Sequence, residues 1–309
     1  MKKFIIDIVI FFALIIVAAI PVDLAISAHK RSVTDDLRYS QWNDMLNGNV
    51  NADMIIMGAS RARMHLDTEI LDSMLGVNSY NLGMDGTWLN YQIKKYDVLC
   101  EYNVKPKVVV QCISYGSLKY DDDWYPVETI FPYFTNPVMW KHIIWESNHN
   151  YFQKFLPCYR YLNYARFARP MKGVIHKGYL PSDASWSVDG FTEKDSTDFL
   201  YDERTTVVFE DYIRRLQHDG IKMVLLFPPQ YIGLTQRIAG LDSMYKYYDS
   251  ISAVYNIPIM DYHYDSISFD TQYFCEPTHL NRTGAELFTR KFARDLDSVF
   301  SGKIAEDLE

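Results

Sequence analysis

From residue 53 onward, short apolar runs alternate with amphipathic stretches. Residues 53–57 hold the apolar run Met54-Ile55-Ile56-Met57, followed by Gly58-Ala59-Ser60, which predicts a buried strand, a tight turn and a helix start. Residues 68–75 carry helical spacing behind a capping Asp67 or Thr68. A second short strand is predicted at 78–82, and a helix capped by Thr87 at 87–102. Residues 107–113 are Val-rich and fit a strand buried on both faces. The rhythm resumes with a helix at 203–219 closed by Gly220, a strand at 223–227 stopped by Pro228-Pro229, and a helix at 241–255. A fifth strand is predicted at 257–261, and a last helix runs from a capping Asn281 to about residue 300. Strands alternating with helices predict an α/β fold. The expected form is a flavodoxin-like three-layer α/β/α sandwich whose five-stranded parallel sheet has the order 2-1-3-4-5.

Two stretches break the rhythm. Residues 4–20 are apolar except for Asp7 and follow Lys2 and Lys3. Their length is near the lower limit of the roughly 17–25 residues of a transmembrane helix. The basic start favours a cytoplasmic N-terminus, while His29, Lys30 and Arg31 on the far side weaken that preference. A cleaved signal peptide is the competing reading. Either way the remainder is expected outside the cytoplasm, as a single-pass protein of the cell membrane if the segment stays. The expected division is an anchor at 1–28, a membrane-proximal linker or helix at 29–52, and a domain at 53–309. Within that domain residues 117–200 form an aromatic-rich insertion holding Trp124, Trp140, Trp145 and Trp186. It is too long for a plain loop and predicts short helices of its own.

Composition narrows the function classes. The 309 residues carry a net charge of −8, with 31 basic against 39 acidic side chains, so no nucleic-acid footprint is expected. Aromatic content is 15%, with 24 tyrosines, which suits carbohydrate sites or interfaces as well as an ordinary core. Cys100, Cys112, Cys158 and Cys275 show neither CxxC spacing nor a metal pattern. Asp261, His263 and Asp265 alternate and would share one face of a strand, open to a metal-site reading, a rival acid, or loop polarity.

The chemistry converges on one sheet edge. Ser60 follows strand one, Gly83 strand two and Ser114 strand three, and Glu276 and His279 precede the last helix. In a parallel sheet these all lie at the carboxyl ends, where such folds place ligands. A serine hydroxyl needs a base, which His279 supplies near neutral pH, and Glu276 is placed to orient the ring. Arg61 and Arg63 could bind a carboxylate or phosphate, though a solvated helical turn is the simpler expectation. Neither a cofactor nor a metal is called for.

Here the chain resembles the SGNH/GDSL hydrolase superfamily. Gly58-Ala59-Ser60 stands at its nucleophile turn, Asn81-Leu82-Gly83-Met84-Asp85-Gly86 looks like its glycine block, and Glu276-Pro277-Thr278-His279-Leu280-Asn281 looks like its carboxylate-x-x-His block. Two positions depart: Glu276 stands for the usual Asp, and Ser114-Tyr115-Gly116 lacks the oxyanion-hole asparagine. The resemblance implies Ser60, His279 and Glu276 as catalytic residues and the N–H groups of Ser60 and Gly83 as oxyanion hole; Ser114 and Ser117 are the candidates to replace the missing donor, or the activity is slow and selective. Arg61 and Trp88 are the expected substrate contacts. The departures and the anchor resemble a membrane-anchored branch, that of the D-alanyl-teichoic-acid transfer protein and the alginate acetylation proteins. That branch implies acyl esters of a surface glycan as substrate and a membrane-bound O-acyltransferase as partner. A catalytically silent glycan-binding or scaffolding subunit is the alternative.

Overall fold

The computed structural model describes residues 1–33, 36–120, 127–147, 150–162, 175–188, 191, 197–300 and 304. Trp124 and much of the 117–200 stretch lie outside the described residues. Five parallel strands form the sheet: β1 (Met54–Met57), β2 (Ser79–Asn81), β3 (Val108–Cys112), β4 (Lys222–Phe227) and β5 (Ile259–Asp261), in the order β2-β1-β3-β4-β5. Met54 lies level with Ser79 on one side and Val108 on the other, Val108 with Lys222, and Leu225 with Ile259. This is the 2-1-3-4-5 order expected from the sequence.

Alternation along each strand makes the three layers. Ile55, Met57, Val109, Leu225 and Phe227 face one way, against α5 (Leu89–Tyr102), α7 (Glu203–His218) and α8 (Leu241–Tyr255). Met54, Ile56, Val110, Val224 and Leu226 face the other way, against α4 (Thr68–Leu75) and α9 (Arg282–Val299). Side-chain caps start three of these helices: Asp67 on Glu69 N, Asp202 on Arg204 N, and Asn281 on Gly284 N. The expected Thr87 cap is corrected. Its hydroxyl donates to Met84 O at 2.7 Å, and α5 begins two residues later without a side-chain cap.

α1 (Lys2–Ser32) is one continuous helix, long and apolar enough to cross a membrane, a property signal sequences share. Residues 36–50 are part of the domain. α2 (Ser40–Leu46) buries Trp42 and Met45 completely in the sheet's core cluster. From the insertion, α6 (Tyr151–Phe155) and the turn at Tyr159–Tyr161 pack next to one another.

Candidate active site

Ser60 opens α3 (Ser60–His65) straight after β1. The turn that presents it depends on Gly58, whose φ is +151°. A Cβ there would sit 2.7 Å from Ala62 Cβ and 2.8 Å from Cys112 Cβ. His279 arrives from a two-stranded hairpin, β6 (Phe274–Glu276) and β7 (His279–Leu280), in which Glu276 pairs with His279. Pro277 O accepts from Tyr231 N at 2.9 Å and ties the hairpin to the loop after β4.

These elements bring three side chains into a line. Ser60 Oγ lies 2.6 Å from His279 Nε2. His279 Nδ1 bonds Glu276 Oε1, which also accepts from Thr278 Oγ1. Since a carboxylate only accepts, Nδ1 carries the proton and the Nε2 lone pair faces the serine hydroxyl. The bond to His279 holds the Glu276 pKa down at about 2, against the opposing effect of partial burial, and the Thr278 hydroxyl lowers it further. The carboxylate is therefore ionised at any working pH.

A second histidine stands behind the first. His65 is fully buried, its ring 6.0 Å from that of His279 at 85°. Its Nε2 accepts from Leu280 N at 3.0 Å, next in the chain to His279. Burial first, then His279 and Arg61, hold its pKa well below 6.5, so it stays neutral and keeps this acceptor.

The glycine block is braced from beneath by residues that hydropathy patterning does not reveal. Asn81 is fully buried; its Nδ2 donates to Ala62 O at 2.6 Å and Leu66 O at 3.0 Å, holding α3 against the end of β2. Gln41 Nε2 donates to Asn81 O and Gly83 O at 3.0 and 2.9 Å. Buried Lys95 donates to Gln41 Oε1 at 2.5 Å and to Leu82 O at 2.9 Å.

The expected oxyanion set needs correction. Gly83 N–H is not free, because Asn81 Oδ1 accepts it at 2.9 Å. Gly83 serves close packing instead: a Cβ would come within 2.4 Å of Arg63 N. Ser114 N–H is likewise taken by Ser117 Oγ at 2.8 Å, which leaves only the Ser114 hydroxyl, 3.2 Å from the same oxygen. Among the described residues, Ser60 N–H and Gly86 N–H meet no acceptor. Gly86 is exposed with φ +68°, on the turn whose Met84 N binds Gly58 O at 3.0 Å.

Neither arginine lies on a solvated turn; both are buried. Arg63 pairs with Asp85 at 2.9 Å. Arg61 donates to Gln230 Oε1 at 2.5 Å and lies over the Tyr115 ring at 5.4 Å, with no carboxylate partner among the described residues. Trp88 is half-buried; its ring packs over Gly116, where a Cβ would meet it at 2.3 Å. His263 is buried and bonds Tyr245 OH at 2.7 Å, while Asp265 caps a short turn and pairs with Lys291. The Asp261/His263/Asp265 alternation thus has a structural use.

No protein-family model matches this chain, and no curated protein does. Solved structures do. A protein assigned to the G-D-S-L lipolytic family, from Desulfitobacterium hafniense, is 11% identical, with a TM-score of 0.42, over 78% of this chain and 97% of its own. A GDSL-like lipase from Bacteroides thetaiotaomicron is 12% identical, with a TM-score of 0.40, over 84% and 97%. A carbohydrate acetylesterase family member from Sinorhizobium meliloti is 9% identical, with a TM-score of 0.39, over 79% and 97%.

Proposed function

We propose that this protein is a membrane-anchored serine esterase or O-acyltransferase of the SGNH/GDSL kind, acting on acyl esters of cell-surface glycans. One observation carries the chemistry: the Ser60 hydroxyl lies 2.6 Å from His279 Nε2, with ionised Glu276 on the ring's other nitrogen. His279 takes the hydroxyl proton as Ser60 Oγ attacks the ester carbonyl. Glu276 stabilises the imidazolium that forms. Collapse of the tetrahedral intermediate expels the alcohol, which leaves with the proton from His279, and an acyl-Ser60 remains. A second attack, by water or a sugar hydroxyl, releases the acyl group by the same steps reversed. The oxyanion falls to the Ser60 N–H and to the N–H groups of the turn that carries Gly86.

Arg61 adds specificity in this reading. A buried guanidinium without a carboxylate partner costs several kcal/mol unless an anion meets it, so the substrate is one with a negative group near its acyl carbon. Trp88, packed over Gly116 on the same carboxyl edge, is the aromatic contact. The glycan substrate, the extracytoplasmic site and a membrane-bound O-acyltransferase partner follow from the resemblance of the motif set and from α1 as an anchor. A fluorophosphonate probe should label the wild type at Ser60 and leave Ser60→Ala unlabelled. Equal labelling of the variant removes the assignment. A silent glycan-binding subunit is favoured by the engaged Gly83 and Ser114 N–H groups. Unchanged cellular function of Ser60→Ala would select it.

A further inference from the structure

The outer turns of α1 are gripped by the insertion. The Asp23 carboxylate accepts from Cys158 N at 2.7 Å and pairs with Arg160. Ser27 Oγ meets Tyr161 OH at 2.8 Å, and Cys158 Sγ reaches Ala19 O at 3.4 Å. Residues 158–161 are therefore level with residues 19–27 of the helix. At ~1.5 Å per residue α1 climbs about 28 Å from Phe4 to Asp23, close to the ~30 Å of a hydrocarbon core. Asp23 and its partners thus fall at the far boundary between hydrocarbon and headgroups. A lone carboxylate is costly at that depth, and the Arg160 pairing offsets the cost.

Immediately before this grip the chain turns aromatic side chains outward. Trp145, Tyr151, Phe152 and Phe155 are 72%, 78%, 60% and 60% exposed. On α6, Tyr151 stacks on Phe155 and Phe155 on Trp140, with ring centroids at 6.4 and 5.4 Å. Phe152 lies 5.7 Å from Tyr159, the residue before Arg160, so α6 lies beside the Asp23 pair. The ammonium of Lys154, the one charged residue of α6, is turned inward onto Ser147 O. An apolar, aromatic outer face next to a helix leaving a bilayer has the composition of a membrane-interface belt, where rings sit among the headgroups.

We propose that α6 and Trp145 form an interfacial seat, inserted among the lipid headgroups of the leaflet from which α1 emerges. The proposal rests on α1 crossing that bilayer and is independent of the chemistry at Ser60. Two contacts with one membrane, the span and the seat, hold the domain at a fixed tilt, and with it the height of the catalytic rim above the lipid.

The test uses the full chain in phosphatidylethanolamine–phosphatidylglycerol nanodiscs. Photoreactive p-benzoylphenylalanine replaces, one at a time, Phe152, Phe155, Val9 in α1 and Val254, which is exposed on α8. After irradiation, lipid adducts are read by intact mass. Positions 152, 155 and 9 are expected to yield several-fold more adduct than 254. Adducts at 9 without adducts at 152 and 155 overturn the seat and leave the anchor standing. Adducts at none of the three overturn both. Equal yields at 152, 155 and 254 also overturn the seat, because they mark unspecific lipid contact.

Discussion

Replacing Glu276 with Gln isolates the charge behind His279 while keeping the shape of the side chain. In the wild type, Glu276 Oε1 accepts from both His279 Nδ1 and Thr278 Oγ1. The Gln carbonyl oxygen can take the same place, but it no longer carries charge to meet the imidazolium that forms as Ser60 attacks. Two unit charges about 4 Å apart attract by ~1 kcal/mol in water and ~4 kcal/mol at an effective dielectric of 20. The Glu276 side chain is 51% exposed, so the loss lies between these limits. At about 1.4 kcal/mol per decade, that is roughly a five- to thousand-fold drop in acylation rate. It is smaller than the ~10⁴-fold loss on neutralising the fully buried acid of a serine-protease triad. The assay is the second-order rate of fluorophosphonate labelling at Ser60, alongside p-nitrophenyl acetate hydrolysis, across pH. Because the Glu276 pKa is lowered to about 2, the carboxylate loses its charge only as pH falls through that value, so no inflection above pH 4 belongs to it. A Glu276→Gln rate within twofold of wild type would refute the orienting role. A rate as low as that of Ser60→Ala would refute the screening argument.

Other predictions follow from the same geometry. Asn81→Ala strands Ala62 O, Leu66 O and Gly83 N in the interior; with buried unmet groups costing about 1–3 kcal/mol each, thermal melting should show a loss of at least one such term, with slower labelling of Ser60 as α3 loosens. Burial first, then Arg61, lowers the His263 pKa to about 3 from 6.5. Its contribution to stability is therefore complete above pH 6.5 and is lost as pH falls toward 3, at up to about 1.4 kcal/mol per pH unit. Denaturant unfolding at several pH values should show that slope flattened in His263→Gln, and an unchanged slope would contradict it. Arg61→Met should lower kcat/KM for p-nitrophenyl hemisuccinate several-fold more than for the neutral acetate; equal losses would make Arg61 a packing residue.

Most of the sheet was legible because its central strands β1, β3 and β4 are largely apolar. Met54-Ile55-Ile56-Met57 and the Val-rich β3 admit few other environments, and the Asp67, Asp202 and Asn281 caps mark helix starts by residue type. Polar residues inside the protein were not legible. In a linear pattern Gln41, Asn81, Lys95 and Arg61 look like surface positions; only the carbonyls and ring they meet, 13 to 169 residues away, explain their burial. The engaged Gly83 N–H is hidden for the same reason. A motif places a glycine near the serine but does not tell a free N–H from one that a neighbouring asparagine already holds.

Gln41 and Trp42 precede the first strand, yet one fastens the glycine turn and the other fills the core beside Lys95. Shortening the protein to its α/β repeat, starting at residue 53, would strip the rim of a brace and open a tryptophan-sized hole in the interior. Any shortened version made for crystallography or assay has to keep residues 36–50, and with them the turns of α1 from Asp23 onward that hold Arg160 and Tyr161. Only the turns of α1 before Ala19 stand clear of the domain; its outer turns and residues 36–50 are part of the body.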